Sequence, residues 1–157
     1  MKKRVIPTAD TAAEQQTDEW LDLDRLAEVE ITSEDEAHPI ESALLPHGGA
    51  GWQAAGSGEQ TIRLSFAEPL HLRRIWLEFI EPTRERTQEF VLRWSADRGQ
   101  TFREIVRQQW NFSPQGGNRE VEDQRVDLDG VTVLELVIVP DVSGGPGVAS
   151  LSRLRLA

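Results

Sequence analysis

Aromatic and planar polar side chains are the residues of this sequence best suited to binding chemistry. The segment 107–112, RQQWNF, combines an indole and a phenyl ring with guanidinium and amide groups, and Trp52 offers a further indole after a glycine-rich stretch. An aromatic face packs on the apolar C–H side of a sugar ring, while planar polar groups hydrogen-bond its hydroxyls. These residues predict a glycan-binding surface. The alternative is that Trp52, Trp110 and Phe112 close one end of a hydrophobic core.

Arginine and histidine supply the other candidate contacts. Four arginines fall at or near predicted loop ends: Arg84, Arg86, Arg107 and Arg119. A guanidinium group forms paired hydrogen bonds to carboxylate or phosphate, so these side chains are suited to an anionic ligand. The alternative is that they balance neighbouring glutamates in solvent. Of the three histidines, His47 lies in the glycine-rich stretch and is the one that we expect to contact a ligand.

Catalytic motifs are missing from the sequence. It contains no HExxH, GxSxG, P-loop or paired-carboxylate pattern. The absence of cysteine excludes thiol nucleophiles, thiolate zinc sites and disulfides. Residues 49–54 match the loose dinucleotide pattern GxGxxA, but neither a strand before it nor a helix after it is indicated. We therefore expect a protein that is not an enzyme.

Charge is distributed unevenly over the 157 residues, whose net charge is −10. Residues 1–41 carry twelve acidic and four basic side chains, whereas residues 42–157 carry fifteen and thirteen. Nucleic-acid binding needs a clustered positive face and is therefore not expected. No apolar run approaches the roughly 20 residues of a membrane span, and the first residues lack the apolar core of a secretory signal. With no cysteine present, we expect a cytoplasmic protein without membrane contact.

Alternating apolar residues predict β-strands through most of the chain. Three runs are clear: Ile62, Leu64 and Phe66; Ile75, Leu77 and Phe79; and Phe90, Leu92 and Trp94. Such period-2 runs place one face of each strand on a core. The nearly unbroken apolar run 133–139 indicates a central strand. Seven or eight strands without helical periodicity predict an all-β, antiparallel sandwich over residues 27–157, preceded by an acidic, flexible segment 1–26.

Several segments resemble the discoidin family, the C-type domains of coagulation factors V and VIII. They are SEDEAHPIESA at 33–43, GW at 51–52 with GEQTIRLSF at 58–66, and RTQEFVLRWSADRGQTF at 86–102. The resemblance covers about residues 27–157 and implies a jelly-roll β-sandwich of the galactose-binding-like fold. Members of this fold often hold calcium near the first loop, which would make Glu34 and Asp35 its ligands. No other cofactor is expected.

The sequence departs from the family in two ways that bear on function. The cysteine pair of many secreted members is missing, and no loop carries the apolar spikes of the membrane-binding members. We therefore expect a non-enzymatic module that binds carbohydrate through loops at one end of the sandwich, residues 47–58, 82–88 and 107–119. The alternative is a protein-interaction module that uses the same loops or the acidic N-terminal segment. The expected contacts are His47, Trp52, Arg84, Arg86, Arg107, Trp110, Asn111 and Phe112.

Overall fold

The computed structural model describes residues 20–47 and 49–157. Two single-turn helices and eight strands follow one another in this part of the chain: α1 (Leu23–Leu26), β1 (Ala27–Ile31), α2 (Glu41–Leu44), β2 (Trp52–Ser57), β3 (Gln60–Ile80), β4 (Arg86–Ser95), β5 (Arg103–Phe112), β6 (Arg119–Val139), β7 (Val148–Leu151) and β8 (Arg153–Leu156). Neither helix in the described ranges is long and apolar enough to cross a membrane.

All strand pairs are antiparallel, and two long strands organise them. In the main sheet the order is β1-β3-β6-β4-β5, with β8 also paired to β3, while β2 and β7 form a separate pair. The β3–β6 register shifts between Ser65 and Arg74. Before the shifts β3 pairs with β1, and after them it pairs with β8. The predicted sandwich is confirmed, but the two alternating runs at 62–66 and 75–79 belong to one long strand that serves both of its layers.

The alternating residues form the core. Ile75, Leu77 and Phe79 are completely buried, and the ring centroids of Phe79 and Phe90 lie 5.2 Å apart. Trp94 pairs with buried Leu134 and therefore faces the core, but it lies near the end of β4 and is only half-buried. The inward face predicted for these strands is confirmed, whereas full burial of Trp94 is not.

The residues just before β1 belong to the folded domain. Leu23 of α1 is 4% exposed, and the Leu21 backbone N–H donates to the Leu156 carbonyl at 2.8 Å. The guanidinium of Arg74 lies 4.7 Å from the ring centroid of Trp20. The predicted flexible segment 1–26 therefore extends too far, because its last residues pack on the sandwich. Residues 1–19 lie outside the described part of the chain.

Candidate functional site

Three connections meet at one end of the sandwich: residues 81–85, 113–118 and 140–147. Main-chain hydrogen bonds hold them together. The Glu81 N–H donates to the Asn118 carbonyl at 2.8 Å, and the Val142 N–H donates to the Thr87 carbonyl at 2.9 Å. We call this surface the loop end. These bonds tie the backbones of the connections to one another and to β4.

Arg86 is the buried centre of the loop end, and its whole residue is 5% exposed. Its Nε donates to Glu81 Oε1 at 2.8 Å, and its Nη1 donates to the Pro140 carbonyl at 2.7 Å and to Gln88 Oε1 at 3.2 Å. The guanidinium also lies over the ring of Phe112. One side chain thus ties two connections to the first residues of β4.

The carboxyl of Glu81 is ionised by this arrangement. Burial opposes its charge, but hydrogen bonds from Arg86 and Thr83 outweigh burial and hold the pKa of Glu81 below its usual value of 4.5. The Arg86–Glu81 pair is largely shielded from water, with side chains 1% and 11% exposed. The pair therefore has a structural role beneath the loops.

Glu120 lies deeper in the same network. Gln88 is completely buried, and its Nε2 donates to Glu120 Oε1 at 3.4 Å. Burial, together with neighbouring Glu122, raises the pKa of Glu120 to about 8. Within the described residues, Arg86 Nη2 and Glu120 Oε2 are the buried side-chain atoms that have no hydrogen-bond partner. Glu120 is therefore a neutral acid at pH 7, enclosed in the sandwich.

Three predicted ligand contacts are buried, which corrects the sequence prediction. Trp52 begins β2, is 1% exposed, and its Nε1 donates to the Ser33 carbonyl at 3.1 Å. Phe112 is 2% exposed beneath Arg86, which is itself buried. None of these side chains presents a face to a ligand. For Trp52 and Phe112 the alternative interpretation from the sequence, closure of the core, is the correct one.

The segment 107–112 was predicted as a loop but belongs to β5, and this separates its side chains. Directly opposed residues of an antiparallel pair share a face. Trp110 is opposite buried Gln88, whereas Asn111 is opposite Thr87, whose Oγ1 donates to Asn111 Oδ1 at 2.7 Å. Trp110 and Asn111 therefore lie on opposite faces of the sheet and do not form one contact surface.

Trp110 is the predicted aromatic contact that stays accessible, with 36% of its surface exposed. Its Nε1 donates to the Gly117 carbonyl at 3.2 Å, which fixes the indole beside the connection 113–118. Asn118 follows Gly117 in that connection, and its carbonyl accepts from the Glu81 N–H. Trp110 and exposed Asn118 therefore lie along one edge of the loop end, the Trp110 edge, and exposed Arg84 belongs to the connection 81–85 that is bonded to it.

Arg107 and His47 lie elsewhere. Arg107 lies on the same face of β5 as Asn111. It forms ion pairs with Glu89 at 2.5 Å and with Glu104 at 2.9 Å. Hydrogen bonds from Arg107 to both carboxylates raise the pKa of Arg107 further. His47 is exposed in the connection between α2 and β2. These two residues are not joined to the Trp110 edge by any contact that we find within residues 20–47 and 49–157.

The two expected calcium ligands hydrogen-bond within their own loop. Glu34 Oε2 accepts from the Ile40 backbone N–H at 2.9 Å, and Asp35 Oδ2 lies 2.8 Å from His38 Nδ1. The described residues contain no group of three or more acidic, histidine or cysteine side chains placed to hold a metal ion. Calcium binding by Glu34 and Asp35 therefore stays a prediction.

Sequence reasoning overlooked the buried polar residues Gln88 and Glu120. A signal for Gln88 was present, because Arg86 and Gln88 continue the inward alternation of Phe90 and Leu92 toward the start of β4. Polar residues at inward positions indicate a buried hydrogen-bond network. No comparable signal marks Glu120, which lies in a strand rich in charge on both faces.

Comparison with known proteins is informative only at the level of structure. No family model matches the sequence, and no curated protein matches it either. A pectin-binding carbohydrate-binding module matches the chain with a TM-score of 0.62 at 15% identity, over 84% of this chain and 90% of that one. The family 32 module of C. perfringens NanJ, solved with galactose, matches with a TM-score of 0.59 at 14% identity, over 83% and 92%.

A third similar structure is the family 32 module of AlyQ in complex with 4,5-unsaturated mannuronic acid. Its TM-score is 0.62 at 14% identity, and the match covers 88% of this chain and 97% of that one. Likeness at such identities establishes the fold and not the ligand. The chain has the discoidin-like, galactose-binding-like β-sandwich fold, and the fold predicted from the sequence is confirmed.

Proposed function

We propose that this protein is a non-enzymatic carbohydrate-binding module that holds its ligand at the Trp110 edge of the loop end. The observation that carries the proposal is an accessible indole, oriented by Gly117, on a loop end that also carries exposed Asn118 and Arg84. The similar structures named above are carbohydrate-binding modules, which supports this class of ligand.

The chemistry of the edge suits a sugar ring. The indole of Trp110 offers an apolar face for the C–H side of the ring, and the side chains of Arg84 and Asn118 offer hydrogen bonds to hydroxyls. Main-chain bonds and the buried Arg86–Glu81 pair hold the loops beneath these groups. A site that is already ordered loses less conformational entropy on binding, which favours affinity from a few contacts.

The position of the titratable groups supports binding rather than catalysis. Glu120 has the strongly raised pKa that a general acid needs, yet it is only 2% exposed. Glu81 is 9% exposed and paired with Arg86. A substrate on the loop end would not touch either carboxyl group. Both therefore serve to hold the scaffold.

Calorimetric titration with galactose, oligogalacturonate and oligomannuronate tests the proposal. We expect at least one of them to bind the wild-type protein, and W110A to lose that binding. F102A is the matched control, because Phe102 is a half-buried aromatic in the turn after β4, away from the loop end. Binding of none of these sugars at millimolar concentration, or equal binding by W110A, would contradict the carbohydrate proposal and favour the protein-interaction alternative.

A further inference from the structure

A groove of about 340 Å³, lined by both aliphatic and acidic residues, lies beside the edge strand β1, away from the loop end. It is bounded by α1, β1 and α2, and its lining is mainly aliphatic. Leu44 and Ile40 form its buried floor, each 5% exposed. The half-buried side chains of Ala27, Val29 and Ile31 project from alternate positions of β1 along its wall.

Among residues 20–47 and 49–157, β1 is paired on one side only. It hydrogen-bonds to β3 from Ala27 to Ile31, and it is the first strand in the order of the main sheet. An edge strand offers a second row of backbone N–H and carbonyl groups, which an extended segment can pair with. The groove thus combines an open backbone edge with aliphatic side chains.

The rim of the groove is acidic. Asp24, Glu34 and Glu41 line it, and the lining within the described residues includes no lysine, arginine or histidine. Glu28 and Glu30 are exposed on the other face of β1 and add to the negative potential. An occupant that combines positive charge with aliphatic side chains therefore matches this surface better than an acidic or uncharged one.

This chain contains such an occupant in Lys2–Ile6, with the sequence KKRVI. Its two lysines are the only lysines of the protein, and Arg4 adds a third positive charge. Val5 and Ile6 are β-branched residues, which favour extended pairing. Thirteen residues, 7–19, separate the segment from Trp20. Such a connection reaches up to roughly 45 Å, enough to span the domain from Leu21, which is bonded to β8.

We propose that Lys2–Ile6 binds in the groove beside β1 of its own chain. Val5 and Ile6 contact the aliphatic wall, and the three cations face Asp24, Glu34 and Glu41. The N-terminal segment then covers an open sheet edge that would otherwise be available to another strand. The proposal is independent of carbohydrate binding, since the groove and the Trp110 edge involve different residues.

Paramagnetic relaxation enhancement on the full-length protein tests the proposal. The chain has no cysteine, so T8C gives a single site for a nitroxide label. We expect loss of amide signal at residues 27–31 and 40–45. Signals from the connection 113–118 should be unchanged, because it follows β5, which lies at the opposite end of the strand order from β1. K2E/K3E/R4E in the T8C background restores the lost signals. E41Q/D24N, which removes two charges of the groove, should reduce the loss of signal at residues 27–31 and 40–45. E85Q removes one charge at the loop end and is the control, which should leave that loss unchanged.

A mixture of labelled unenriched protein and unlabelled ¹⁵N-enriched protein separates binding within one chain from binding between chains. Signal loss that vanishes in this mixture supports the proposal. Signal loss that persists there at full strength shows that a second copy supplies the segment, which overturns it. Equal signals at the groove and at residues 113–118 in labelled, ¹⁵N-enriched T8C also overturn it, as does signal loss that K2E/K3E/R4E leaves intact.

Discussion

The guanidinium carbon of Arg86 lies 4.7 Å from the centroid of the Phe112 ring, and the two residues are directly opposed in the β4–β5 register. Both side chains are of types that often contact ligands, but here they contact each other inside the loop end. Phe112 covers the guanidinium, and Arg86 holds Glu81 and the Pro140 carbonyl. Neither side chain is therefore accessible to a ligand, and the proposed contacts are the exposed residues Trp110, Asn118 and Arg84.

Removal of Arg86 should destabilise the protein strongly. R86A leaves the carboxylate of Glu81 in a shielded position without its charge partner, and we expect a loss of about 3–5 kcal/mol in the free energy of unfolding. The double variant E81Q/R86M leaves no uncompensated charge and should be the more stable of the two. Urea denaturation followed by circular dichroism measures both. An R86A midpoint equal to that of the wild type would show that the pair does not hold the loops.

Glu120 should make stability fall as pH rises. Its pKa is about 8 in the folded protein, against 4.5 for the ordinary side chain. Between these values the folded state keeps a proton that the unfolded state has released. The contribution of Glu120 to the free energy of unfolding therefore declines as the pH rises from the ordinary pKa of 4.5 to the folded-state pKa of about 8. Above a pH of about 8 this contribution is lost completely.

E120Q isolates this effect, because glutamine is neutral throughout. We expect the urea midpoint of E120Q to rise relative to that of the wild type as the pH is increased from about 5 to about 9. E122Q is a useful comparison, since Glu122 adds to the raised pKa of Glu120 and its removal should reduce the pH dependence only in part. A constant difference between E120Q and the wild type over this range would show that Glu120 ionises normally.

Gly51 and Gly49 form a matched pair for a backbone test. Both have φ of +98°, but a Cβ at Gly51 would lie 2.7 Å from the Leu151 carbonyl oxygen, whereas nothing lies within 4 Å of one at Gly49. G49A should cost about 1–2 kcal/mol for its left-handed backbone. G51A should cost about 1–3 kcal/mol more, because β7 must move. Equal melting temperatures for the two variants would contradict the close approach of Gly51 to β7.

Glycan binding at the Trp110 edge should depend little on salt. Stacking and hydrogen bonds to uncharged hydroxyls carry the proposed contact, with no ion pair to the sugar. A dissociation constant of about 1 mM to 1 μM corresponds to roughly −4 to −8 kcal/mol. Calorimetry of a neutral sugar such as galactose at low and high sodium chloride should give nearly the same affinity. Binding of a protein partner would instead weaken as salt rises. A steep salt dependence for galactose would exclude the stacking contact as its main source.

Much of the fold was predictable from local pattern. Alternation at Ile75, Leu77 and Phe79 identifies strand and inward face together, because successive side chains of a strand point to opposite sides. The segment RQQWNF was misread because polar residues fill most of β5, an edge strand exposed on much of its surface. The composition of such an edge strand resembles that of a loop. What makes the segment part of the sheet is its pairing with β4, which the local sequence does not show.

The sequence by itself determined the class of the fold and the inward face of its clearest strands. The tertiary structure alone decided which aromatic and charged residues are accessible. Trp52 and Trp110 are both tryptophans near polar, glycine-containing sequence, but Trp52 is buried at the start of β2 opposite Leu151 of β7, whereas Trp110 is exposed on the edge strand β5. Burial depends on contacts between residues far apart in the chain, and a local pattern does not contain them.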